Sequence, residues 1–189
     1  MEDREVTISR AKISVDYPAS FMLVASMNPS PSGDFYDPNS GSGDSEQAVR
    51  RYLNKISGPL LDRIDLHVEV SSVPFEKLAE KEAGESSEHI RERVISAREV
   101  QKKRFEGVEG IHSNAQLTPK LTKEHCEVDE MGEKILKNAV EKLGFSARSY
   151  ARILKVSRTI ADLDHSEKIQ PQHIAEAIQY RSLDRDGWV

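Results

Sequence analysis

Hydrophobic and polar positions alternate along residues 5–17. Val6 and Ile8, then Ile13, Val15 and Tyr17, recur at a period of two. Arg10, Ala11 and Lys12 lie between the two runs, so the pattern predicts a β-hairpin with a basic tip, though without the Asn-Gly or Asp-Gly of the tightest turns. Pro18, which has no amide to offer a ladder, stops the second strand. Phe21-Met-Leu-Val-Ala25 is short and continuously apolar, as a strand buried on both faces is. Residues 29–45 hold three prolines, three glycines and five serines and read as a loop. From Glu46 the period changes: Val49, Tyr52, Leu53 and Ile56 recur at helical spacing until Gly58-Pro59. A short turn carrying Leu60 and Leu61 follows. Leu66, Val68 and Val70 then alternate as a second core strand, with His67 facing the other way.

After Pro74 the pattern turns wholly helical. Glu76 to Glu82 is a charged helical stretch, interrupted at Gly84-Glu-Ser-Ser87. Ser86 or Ser87 caps a helix running to about Arg104, with Ile90, Val94, Ile95 and Ala97 on its buried side. Residues 105–120 read as a linker. Three helices are predicted over 129–142, 146–163 and 172–181, with Ser146 as an N-cap and Pro171 in a first turn. The middle one carries Tyr150, Ile153, Leu154, Ile160 and Ala161 on an apolar side, and Arg148, Arg152 and Lys155 as a basic stripe. The fold class expected is an α/β portion over residues 1–72, with a hairpin and two core strands, followed by an all-α portion over 73–189. Helix dominates overall, and no internal repeat is found.

Composition narrows the classes. With 189 residues the chain makes one or two modest domains. A hydrophobic share of 37% supports a core beneath a surface fed by 31% charged residues. The net charge of −5 argues against wholesale coating of nucleic acid. Cys126 stands alone, so no internal disulfide forms and a reducing compartment is expected. No apolar run reaches the ~20 residues that cross a bilayer, and no signal segment opens the chain, so the expected place is the cytoplasm, without membrane partners. Met1-Glu-Asp-Arg4 leads straight into the strand pattern, which suits a piece of a longer parent. The six histidines lack metal-ligand spacing, and neighbouring His125 and Cys126 read as structural or surface residues. Asp34, Asp37 and Asp44 read as a solvated acidic loop. No metal site is expected.

Three polar residues carry the candidate chemistry. Asn28 closes the apolar run at a strand's C-terminal end, where open α/β sheets place their ligands. A neutral amide there can hold a water or bond a phosphate; the plainer alternative is an Asn that starts a turn before Pro29. Arg63 sits in Leu60-Leu-Asp-Arg-Ile-Asp-Leu66. An arginine finger can raise a phosphoryl-transfer rate ~10³-fold or more, whereas an Asp62 or Asp65 salt bridge would be its ordinary surface use. Arg148 opens the basic stripe, which is otherwise a solvated face. The phosphate-cradling Gly-x-x-x-x-Gly-Lys-Ser/Thr does not occur, and no apolar strand ending in Asp-Glu precedes residue 21.

Ser26-Met-Asn-Pro29, taken with the string from Ile56 through Val70, resembles the C-terminal part of the AAA+ module in magnesium-chelatase-like ATPases of the competence-protein ComM type. The resemblance covers essentially the whole chain and implies an AAA+ core remnant followed by its helical lid. It implies that Asn28 is the sensor-1 residue and that Arg63 is a finger acting in trans, hence a ring, commonly a hexamer. It makes Arg148 the sensor-2 arginine, with Arg152 and Arg158 as weaker candidates. Asn28 and Arg148 would then contact the nucleotide. ATP and Mg²⁺ belong to the full-length parent, and neither is expected on this portion alone. In relatives the hairpin points into a pore, so Arg10 and Lys12 would track a DNA backbone by charge rather than by sequence. Many relatives carry Cys-Pro-Cys-Gly in the loop after the sensor, with a second cysteine pair downstream. Here Ser30 and Ser32 stand instead, so a metal clamp is expected to be lost. The function implied is DNA remodelling of a helicase or branch-migration kind, linked to competence and recombination. Two alternatives stay open: a chelatase-type chaperone ATPase for metal insertion into a tetrapyrrole, and a non-enzymatic helical interaction module.

Overall fold

A computed structural model describes residues 4–10, 13–28, 30–33, 44–70, 73 and 84–181. The chain divides after Arg63 into two compact units, Met1–Arg63 and Ile64–Trp188. Among the described residues there are seven helices and a single two-stranded sheet, so helix dominates as expected.

The first unit opens with the predicted hairpin, β1 (Glu5–Arg10) against β2 (Ile13–Pro18), antiparallel with Val6 opposite Tyr17 and Ile8 opposite Val15. The period of two gathers those apolar side chains on one face. On the other, Thr7 Oγ1 donates to Asp16 Oδ1 at 2.7 Å, and the Ser9 and Ser14 hydroxyls meet at 2.9 Å. Both strands are exposed throughout. Lys12 lies outside the described residues. The loop ends at α1 (Glu46–Leu53), where Ser45 Oγ accepts from the Ala48 amide at 3.3 Å. Where a turn was expected at Leu60 and Leu61, one turn of helix forms, α2 (Gly58–Leu61), led in by Pro59 with its preset φ.

The two expected core strands are corrected. Residues 21–28 and 64–70 form no ladder, and Phe21, Met22 and Val24 are 67%, 87% and 82% exposed. An apolar strand is buried only when neighbouring strands satisfy its backbone on both edges, and no described strand lies beside either segment. In the second segment Leu66, Val68 and Val70 face solvent, while His67 is the buried residue and its amide donates to the Tyr180 carbonyl at 2.8 Å. The charged helix expected over Glu76 to Glu82 lies outside the described residues, as do Asp34 and Asp37.

The second unit is all-α. Helix α3 (Ser87–Arg104) begins as predicted, with Ser86 Oγ accepting from the His89 amide at 3.3 Å. Its expected buried side is wrong for the first half: Ile90, Val94 and Ile95 are exposed, and only Ala97 and Gln101 are buried. Both buried residues lie in the C-terminal half of the helix. The expected linker over 105–120 is instead packed. Phe105 and Leu117 lie in the core, Asn114–Gln116 form a 3-10 turn, and Pro119–His125 make a further helix, α4, capped by Thr118. Then come α5 (Glu130–Leu143), α6 (Ala147–Leu163) and α7 (Pro171–Gln179), within one or two residues of prediction. Helix α6 is the hub, touching α3, the 3-10 turn, α4 and α7, and α5 packs on α7. Ile153, Leu154 and Ala161 deliver its apolar side to the core, whereas Tyr150, expected there, is largely exposed. Packing between α5 and α7 is close enough that a Cβ on Gly132 would stand 2.6 Å from Ile174 Cδ1, so a larger residue there would have to push that side chain aside.

Candidate functional site

In the first unit, Asn28 stands exposed at the end of the extended apolar segment. The chain then turns back beneath it. The Gly33 amide donates to Ser30, to both carbonyl and Oγ, at 3.1 Å, and the Ser30 and Ser32 hydroxyls meet at 3.1 Å. The Ser32 amide donates to Asp44 Oδ2 at 2.7 Å, joining the two ends of the loop. That amide above all, with the Ser32 and Ser30 hydroxyls, holds the Asp44 carboxyl below its ordinary value. Gly33 has φ +92°, and a Cβ there would lie 3.4 Å from Asn28 Nδ2, so the sensor candidate's amide rests over a glycine. Hydrogen bonds close this loop. Among the described residues no group of three His, Cys, Asp or Glu side chains could hold a metal ion.

Arg63 follows α2 and is half-buried, and its Nη1 donates to the Pro59 carbonyl at 2.7 Å. Of the two carboxylates expected to compete for it, Asp62 and Asp65, the second pairs with Arg152.

In the second unit Ser146 caps α6, its Oγ accepting from the Ser149 amide at 3.1 Å, and Arg148 is exposed in the first turn. The two weaker sensor-2 candidates are taken up by the protein. Arg152 is bound to Asp65. Arg158 is buried, with Nε on Asp162 Oδ1 at 3.2 Å, Nη1 on the Glu167 carbonyl at 2.9 Å and Nη2 on the Ser166 carbonyl at 2.7 Å. Burial is the main force drawing its guanidinium below its usual value, against the pull of Asp162. Asp162 also accepts from Arg104 and from Asn114 Nδ2, the latter at 2.8 Å, so two guanidinium groups share one buried carboxylate.

Sequence reading missed Arg181. It is 1% exposed, donates through Nη1 to the Ile64 carbonyl, and reaches Ser149 Oγ through Nη2 at 3.3 Å. The available signal was its position. With Ile174, Ala177 and Ile178 it continues the apolar stripe of α7, where a cation must find acceptors.

Taken singly, a side-chain amide or a guanidinium is a donor suited to phosphate oxygens.

A family model described as magnesium chelatase, subunit ChlI, matches residues 1–78, and one described as its C-terminal region matches residues 84–181. The competence protein ComM of Haemophilus influenzae is 42% identical over 186 residues, which is 98% of this chain and 35% of that protein. Escherichia coli YifB is 41% identical over the same shares. Rv2897c of Mycobacterium tuberculosis is 32% identical over 181 residues, 96% of this chain and 35% of that protein. The chain thus spans about a third of the length of the curated relatives it matches.

Proposed function

The chain belongs to the magnesium chelatase subunit ChlI family, and on that premise we propose that it forms the sensor, finger and lid portion of a ring-forming AAA+ ATPase. In this reading residues 1–72 end the α/β core and residues 73–189 include the lid. Asn28 polarises the attacking water or bonds the γ-phosphate. Arg148 bonds the γ-phosphate of its own subunit. Arg63 crosses to a neighbour's nucleotide and neutralises charge on the phosphoryl group in flight. ATP supplies that group and Mg²⁺ offsets its charge, both held mainly by residues outside this chain. The exposed apolar segments 21–25 and 66–70 take up partner strands in the parent, which would cover their side chains.

One observation carries the reading. Arg148 is exposed in the first turn of α6, the helix start that Ser146 caps. The substrate proposed is DNA. The relative from Haemophilus influenzae is named for competence, and Arg10 ends β1 at the tip of a ribbon exposed on both faces. Backbone tracking by Arg10 and Lys12 would be salt-dependent and indifferent to sequence.

The test is steady-state ATP hydrolysis by the full-length protein. Arg63→Ala and Asn28→Ala are each expected to lower kcat by about 10²-fold or more. Stimulation of hydrolysis by DNA, lost in an Arg10→Ala/Lys12→Ala protein, separates DNA remodelling from metal insertion into a tetrapyrrole. Titration of the present chain with ATP in a calorimeter is expected to show no binding in the micromolar range. Full hydrolysis by Arg63→Ala would contradict the reading.

A further inference from the structure

The two residues that follow Arg63 open the second unit and are gripped by its helices. Arg181, at the end of α7, donates to the Ile64 carbonyl, and Arg152, on α6, binds the Asp65 carboxylate. Two residues on, the His67 amide donates to the Tyr180 carbonyl at 2.8 Å. A planar guanidinium with several fixed donors holds a carbonyl or carboxylate in one orientation, as a lysine does not. The grip also reaches the turn that bears Arg148. Arg181 Nη2 donates to Ser149 Oγ at 3.3 Å, and Ser149 stands 3.4 Å from Ser146 Oγ, the cap of α6.

We propose that Arg152 and Arg181 are positioning residues for Arg63, fixing the backbone just beyond the finger and tying it, through Ser149, to the helix turn that carries Arg148. This rests on the ATPase reading above. It adds that the lid helix sensing a nucleotide at one subunit boundary sets the finger offered at the next. Arg152 was a weak candidate for nucleotide contact; here it acts on the finger's segment instead. Arg181 is buried, with a side chain that must keep acceptors, so its removal would unsettle the fold. Asp65, whose side chain is 55% exposed, is the gentler place to cut the same link.

The experiment is ATP hydrolysis by the full-length protein carrying Asp65→Ala, Asp65→Asn, Arg63→Ala, and the double variant Asp65→Ala/Arg63→Ala, with melting temperatures measured alongside. Asp65→Ala is expected to lower kcat about tenfold with KM for ATP within about twofold, because a displaced finger costs transition-state contact rather than substrate binding. Asp65→Asn, which keeps an acceptor oxygen, is expected to lose less. In the Arg63→Ala background, Asp65→Ala is expected to cost nothing further, since a pair acting as a unit is not additive. The charge swap Asp65→Arg/Arg152→Asp is expected to recover much of the rate. Asp65→Ala hydrolysing at the wild-type rate while Arg63→Ala is inactive overturns the positioning role and leaves the finger intact. Losses that multiply in the double variant also overturn it. Arg63→Ala at full rate sinks the finger itself, and this inference with it.

Discussion

The guanidinium of Arg104 grips both oxygens of the Asp162 carboxylate, at 2.5 and 2.7 Å, across 58 residues of chain. Asp162 is fully buried and also serves Arg158 on the same helix α6, so two cations share this one carboxylate. Removing it strands both. Asp162→Ala is expected to cost about 3–5 kcal/mol, the range for breaking a buried pair from one side. Urea denaturation of the present chain, compared with wild type, measures it. A loss below about 1 kcal/mol would mean that water replaces the carboxylate.

Gly132 sets how closely α5 approaches α7. A methyl group there would stand 2.6 Å from Ile174 Cδ1, the end of a fully buried side chain that would have to shift, and 3.2 Å from Val128 Cβ. Gly132→Ala normally gains helix propensity, so a net loss isolates the packing clash. The expected change is a destabilisation of about 1–3 kcal/mol, read as a lower thermal midpoint. Gly84→Ala, where nothing lies within 4 Å, is the control and is expected to leave the midpoint nearly unmoved.

Cys126 is buried, and burial is the chief force pushing its thiol from 9.0 up to about 11, only partly offset by Arg158, Arg104 and Lys155. The folded thiol keeps its proton more tightly than the unfolded one. Its contribution to stability, roughly 2–3 kcal/mol, is therefore complete below about pH 9 and is lost as pH rises through about 11. Urea midpoints from pH 8 to 10.5 should fall less steeply for Cys126→Ala than for wild type. At pH 8 the thiolate fraction in the folded chain is about 10²-fold below that of an unfolded thiol, so maleimide labelling should follow unfolding. Rapid labelling without denaturant would contradict the burial.

What could be read from the sequence was what is locally encoded. The hairpin follows from a period of two. The starts of α3 and α6 follow from Ser86 and Ser146, whose hydroxyls accept from amides three residues on. Legibility failed wherever a distant partner decides the outcome. Phe21-Met-Leu-Val-Ala25 carries the composition of a buried strand, but composition does not supply the strands that would bury it. Ile90 and Val94 carry the spacing of a buried face, yet both are exposed and α3 buries Ala97 and Gln101. Phe105 and Leu117 sit in a stretch rich in turn residues and looked like linker, but they are core. The candidate site behaved in the same way. Arg63 and Asp65 are two residues apart and invited an ion pair, while the partner that Asp65 takes, Arg152, lies 87 residues away.

The trans finger and the cis sensor make opposite demands on a ring, and that is the most direct test of the proposed function. Full-length protein carrying Arg63→Ala and full-length protein carrying Arg148→Ala are each expected to hydrolyse ATP at least about tenfold more slowly than wild type. Mixed in equal amounts and allowed to exchange subunits, they create boundaries at which an intact Arg148 meets an intact Arg63. With random exchange about a quarter of the boundaries are whole, so the mixture should recover up to about a quarter of the wild-type rate, well above either variant alone. A mixture no faster than the mean of the two variants, under conditions where exchange is shown to occur, would contradict the assignment of the two arginines to opposite sides of one nucleotide.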